Sequence, residues 1–110
     1  NRYRKFALLQ LKTIEASSQD SQAQLTAMAA LLKATALQAY PRKEIAALSG
    51  STWLEWLNQH SSRPSFNKVE ELLTQQLYRG NREIDEEELK QLTLAIATWI
   101  REHREPGQDD

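Results

Sequence analysis

A chain of 110 residues, 40% hydrophobic and 26% charged, is long enough for one domain with a modest core and too apolar to remain unfolded. Its formal net charge of −1 supplies no global pull toward nucleic acid. The lack of cysteine excludes disulfides, thiolate nucleophiles and Cys-ligated zinc, and no run of about 18 apolar residues is present to span a bilayer.

Only three glycines and three prolines occur, and apolar positions recur at helical spacing, so helices are expected rather than strands. The first helix is expected from about Arg2 to Ala16, with Tyr3, Phe6, Ala7, Leu11 and Ile14 on one face and Arg4, Lys5, Lys12 and Glu15 opposite. Residues 1–12 hold four cations and no acid, which leaves the remainder at 10 − 15 = −5. The chain lacks an initial Met and reads as helix almost at once, so it is expected to be a piece of something longer. A basic cluster at that end fits the cytoplasmic flank of a membrane-spanning helix.

The second helix, about Ser21 to Ala39, carries a stripe of Leu25, Met28, Leu32, Ala36 and Ala39, with Ala27, Ala30, Ala34 and Leu37 opposite. Lys33 is its only charge. A helix apolar or small nearly all round is expected to be buried, with the alanines admitting a close neighbour. Tyr40-Pro41 stops it, because proline disfavours helix at the preceding residue and suits the first turn of the next. A short third helix follows, about Pro41 to Leu48, with Gly50 as its left-handed cap.

Thr52-x-x-Glu55 reads as a capping box for a fourth helix to His60, on which Trp53, Trp56, Leu57 and His60 share a face. Asn67-x-x-Glu70 is expected to open a fifth, with Val69, Leu72 and Leu73 inward and Tyr78 at its close. Asp85-x-x-Glu88 then caps a sixth, to about Arg104, with Ile84 and Leu89 as a hydrophobic staple. Leu92, Ile96, Trp99, Ile100 and His103 continue its apolar face. Residues 106–110 are expected to fray.

No constellation has the spacing of an active site. His60 and His103 each continue an apolar helical face and are expected at the rim of the core, not as metal ligands or general bases. The acidic run Asp85–Glu88 is explained by the helix start it occupies. Trp53, Trp56 and Trp99 have core spacing, although Tyr40, Trp53, Trp56 and Tyr78 are candidate protein-binding aromatics wherever they reach solvent. Residues 45–54 have the outline of a helix-turn-helix, and a DNA-binding regulator is the alternative function. Against it, no Lys or Arg lies between Glu44 and His60 to meet phosphates.

Leu31-Leu32-Lys33, Ala39-Tyr40-Pro41-Arg42, Ile45-Ala46-Ala47-Leu48, Ser49-Gly50 and Trp53-Leu54-x-Trp56-Leu57 together resemble an uncharacterised bacterial inner-membrane family, domain of unknown function 4381. Leu77-Tyr78-Arg79 and Trp99-Ile100-Arg101-x-His103-Arg104 fit the same pattern. The resemblance makes Pro41, Leu48, Gly50, Leu54, Leu57 and Trp99 structural motif residues. It implies a transmembrane helix upstream, a juxtamembrane helix over residues 1–16 with Arg2, Arg4 and Lys5 as its basic cluster, and a domain at the cytoplasmic face of the inner membrane. Such proteins are typically encoded beside a MoxR-type AAA+ ATPase and von Willebrand factor A domain proteins, which are the partners it implies.

The expectation is therefore an all-α domain over residues 1–110, a single bundle of about six helices around a central Ala-rich helix. Its expected role is non-enzymatic protein docking, with no catalytic residue, cofactor, metal, nucleic acid or small-molecule substrate.

Overall fold

The computed structural model describes residues 2–105; the expected fraying of residues 106–110 lies outside the described residues. Asp20 and Asp85 set the two longest helices. Asp20 accepts from the Ala23 amide at 2.8 Å and opens α2, Ser21–Ala39. Asp85 accepts from the Glu88 amide at 2.8 Å, while Glu88 accepts from the Asp85 amide at 3.1 Å, and this reciprocal box opens the last helix, Glu86–Glu102. Before α2 stands α1, Arg2–Ala16; after it come α3, Arg42–Ala46, and α4, Gly50–Gln59.

A composite α5 covers 67–79, beginning as a 3-10 turn (Asn67–Val69), passing a π-helical stretch (Leu72–Gln76) and ending α-helical (Leu77–Arg79). The last helix is then α6. The described residues form an all-α bundle of six helices, with a Cα radius of gyration of 13.4 Å against about 13 Å for one packed body of this length.

The core is built where α2 meets α1 and α6. Leu25, Met28, Leu32 and Ala36 of α2 are fully shielded, as are Leu92, Ile96, Trp99 and Ile100 of α6. α2 is nevertheless not enclosed on all sides. Ala30 and Ala34 are exposed, and Ala27 and Leu37 only half-buried, because the neighbours of α2 cover the Leu25–Ala36 stripe and leave its back open. Its single charge is put to use: Lys33 Nζ lies 4.5 Å from the Trp53 ring centroid, a cation–π contact.

Several further expectations are corrected. Phe6 faces outward at 62% exposure. α1 packs through Ala7 and Leu11, whose small and aliphatic side chains fit the seam, and the bulky ring beside Ala7 falls outside it. Ser49, not Thr52, stands at the N-cap of α4, with its amide donating to Thr52 Oγ1 at 3.2 Å. α3 ends at Ala46 with Ala47 as its cap, short of the expected Leu48, so Gly50 keeps the expected left-handed φ of +54° but as the first residue of α4, not as the cap of α3.

Asn67 caps nothing, since the N-cap position of α5 is Phe66. Instead Asn58 of α4 reaches across, its Oδ1 accepting from the Ser65 and Phe66 amides at 3.1 and 3.4 Å. Lastly, α6 ends at Glu102 rather than Arg104. His103 is extended (φ −68°, ψ 147°) and pairs antiparallel with Ser61, and the Arg104 amide donates to the His60 carbonyl at 2.9 Å. That clasp draws the chain off the helix axis before Pro106 is reached.

Candidate functional site

His60 and His103 are the first residues past α4 and α6, each four after a tryptophan (Trp56 and Trp99), so each histidine ring falls over the tryptophan one turn back. Both ring pairs stack at 4.1 Å between centroids. In each pair Nδ1 faces the tryptophan's own carbonyl, at 2.7 Å for His60 and 2.8 Å for His103. A carbonyl only accepts, so Nδ1 carries a proton in each ring; Nε2 of His103, whose charged form burial disfavours, is left as an acceptor, while Nε2 of His60 lies 3.7 Å from Glu44 Oε2. Trp99 Nε1 donates to the Leu57 carbonyl at 2.8 Å, joining α6 to α4, and Trp56 Nε1 donates to Glu44 Oε2 at 2.9 Å, joining α4 to α3. Trp53 stacks on Trp56 and Tyr40 meets it edge-on.

The result is a seam of rings inside the domain. Tyr40, Trp53 and Trp56 are each 8% exposed; of the four aromatics weighed as binding residues, only Tyr78 stands on the surface, at 68%. Leu54, Leu57 and Trp99 belong to the core and Leu48 packs against it. Pro41 immediately precedes α3 with φ −61°.

His103 lies deeper than a rim position, fully inside. Its Nε2 is 2.7 Å from the Tyr3 hydroxyl, which in turn donates to Glu105 Oε2 at 2.8 Å, so one phenolic proton lies between two acceptors. Burial lowers the His103 pKa; burial and the Glu105 hydrogen bond push Tyr3 up to about 12. Beside them Arg4 donates to the carbonyls of Ile100 and Arg101, both at 2.9 Å, and of His103 at 2.8 Å. Arg4 therefore points inward and closes the C-terminal end of α6, while Arg2 and Lys5 of the expected basic cluster remain exposed.

The pattern held the signal for this inward arginine: Arg4, Ala7 and Leu11 are spaced i, i+3, i+7, one buried stripe. Other buried polar residues, Gln24, Thr35, Ser61 and Gln76, were not expected from the sequence. Gln24 Nε2 donates to the Ile14 carbonyl at 3.0 Å and closes α1. Gln76 Nε2 donates to Gln22 Oε1 and to the Arg82 carbonyl, both at 2.8 Å, tying α5 to α2 and to the next turn.

On the helix-turn-helix outline, α4 turns Trp53, Leu54, Trp56 and Leu57 inward and leaves Ser51, Thr52, Glu55 and Gln59 outside. That outer side has no cation for a phosphate. Among the described residues no His, Asp and Glu side chains converge in threes at a metal-binding distance, and no helix is long and apolar enough to cross a membrane. The large apolar side chains left on the surface are Phe6, Leu9, Tyr78 and Leu94.

These features define a small all-α domain in which both histidines and all three tryptophans pack against other rings, while the buried Ser61 Oγ and Gln76 Oε1 have no partner among the described residues. The chain belongs to the family described as Domain of unknown function (DUF4381), whose model matches residues 1–102. No match was found among curated proteins or solved structures.

Proposed function

We propose that the domain is a non-enzymatic docking module of a membrane-anchored bacterial protein, holding partner proteins at the cytoplasmic face of the inner membrane. The observation that carries this reading is where the reactive side chains go. His103 is closed in between Trp99 and Tyr3, and the His60 ring lies on Trp56 with Nδ1 on its carbonyl, while Tyr78 and Leu94 stand out in solvent. Exposed aromatic and aliphatic side chains with polar surroundings are what a protein partner buries. The partner classes are those implied by the family resemblance, a von Willebrand factor A domain protein or a MoxR-type AAA+ ATPase.

The test is capture of each partner class from a bacterium carrying the family, with this domain as bait. Recovery of one class, reduced by Tyr78→Ala or Leu94→Ser in a domain that still melts cooperatively, supports the reading. Recovery of neither class counts against it.

A further inference from the structure

The outward face of α1 has a composition of its own. Taking about 100° per residue, Lys5, Leu9, Lys12, Arg2, Thr13 and Phe6 fill one arc centred on Leu9, opposite the buried Ala7–Leu11 stripe, and all are exposed. Phe6 and Leu9 are exposed at 62% and 65%. Glu15, the only acid of the helix, sits about 120° round from Leu9. A shallow groove of about 390 Å³ runs along one flank of this ridge, with Leu8 and Leu9 in its floor and Lys5, Lys12 and Arg101 round its edge. A second, of about 340 Å³, runs between Phe6 and the open back of α2 at Ala34, with Arg2 at its mouth. Neither groove is lined by a carboxylate.

We propose that this face of α1 rests on the surface of an anionic phospholipid bilayer. The occupant must offer negative charge to the cations and apolar depth to Leu9 and Phe6 between them. Phospholipid offers both at once, phosphates at the headgroup level and acyl chains just beneath. Nucleic acid offers the phosphates but has no aliphatic counterpart for Leu9 at the centre of the face. The helix lies along the membrane plane in this arrangement, so the contact does not depend on any spanning segment. It goes beyond the docking of protein partners and does not rest on it.

The experiment is sedimentation of this chain with phosphatidylcholine vesicles, with and without phosphatidylglycerol, at low and at high salt. Each cation near the surface strengthens binding about fivefold. The three on the arc give roughly a hundredfold preference for the phosphatidylglycerol vesicles, and salt weakens it. Lys5→Glu with Lys12→Glu abolishes that preference, and Phe6→Ser with Leu9→Ser weakens binding to the anionic vesicles; the urea midpoints of both variants stay at the parent value because these side chains are exposed. Equal sedimentation with neutral and anionic vesicles, or charge-reversed variants that bind like the parent, overturns the proposal. So does a chain that ignores vesicles yet loses capture of an acidic protein partner when Lys5 and Lys12 are reversed, which assigns the face to that partner.

Discussion

At Arg4 a guanidinium does the work of a helix cap. It reaches carbonyls 96, 97 and 99 residues further along the chain, which α6 leaves without amide partners at its end. Arg4→Ala strands those carbonyls in a partly buried place and is expected to cost about 2–4 kcal/mol, against less than about 0.5 kcal/mol for Arg2→Ala or Lys5→Ala. Urea unfolding of the three variants measures the contrast. Arg4→Lys recovers only part of the loss, because an ammonium lacks the planar fork that spans separate acceptors.

His103 carries the matching pH effect. Burial depresses its folded pKa, with the Arg4 charge adding to the effect and Glu105 opposing it. Unfolding therefore takes up a proton below the ordinary histidine value of about 6.5. Stability is full above that value and is lost as pH falls through it toward the depressed folded pKa. Urea midpoints are expected to drop as pH falls below about 6.5, with a shallower slope in His103→Gln; an unchanged slope in that variant assigns the effect elsewhere.

Two helix starts that look alike in sequence behave differently as elements. Asp85-x-x-Glu88 makes both of its reciprocal bonds, so Asp85→Ala is expected to cost about 1 kcal/mol. Asn67-x-x-Glu70 makes neither, since its turn is held by Asn58 from α4. Asn67→Ala is expected to stay within about 0.5 kcal/mol of the parent, whereas Asn58→Ala, which frees two loop amides, costs about 1–2 kcal/mol. Thermal melts of the three variants decide the order.

The difference also marks how far local patterns reach. The Asp85 cap, the break at Pro41 and the left-handed Gly50 were legible because each is settled within four residues. The π-helical stretch in α5 was not, since Val69, Leu72, Leu73 and Gln76 keep ordinary helical spacing and nothing nearby encodes the wider turn. Phe6 was misplaced for a related reason. A helix with neighbours on one side has only a narrow seam, and which apolar residue falls beyond it depends on partners distant in sequence.

Across the whole molecule the same device recurs at several helix ends. Gln24 closes α1, Arg4 closes α6, and Arg104 donates to the Gln59 and Ser61 carbonyls after α4. The six-helix all-α bundle could be read from periodicity and punctuation, and the burial of Trp53, Trp56 and Trp99 from their spacing. The closures could not, because each long polar side chain acts on a carbonyl supplied by another element. Arg4 grips the end of α6 only two residues in from the start of α1. Tension arriving along the chain from its N-terminal side meets that grip before it meets much of the hydrophobic seam. The bonds to those three carbonyls share the load in parallel, so strain entering at the start of α1 is passed straight to the end of α6 instead of peeling the helix away.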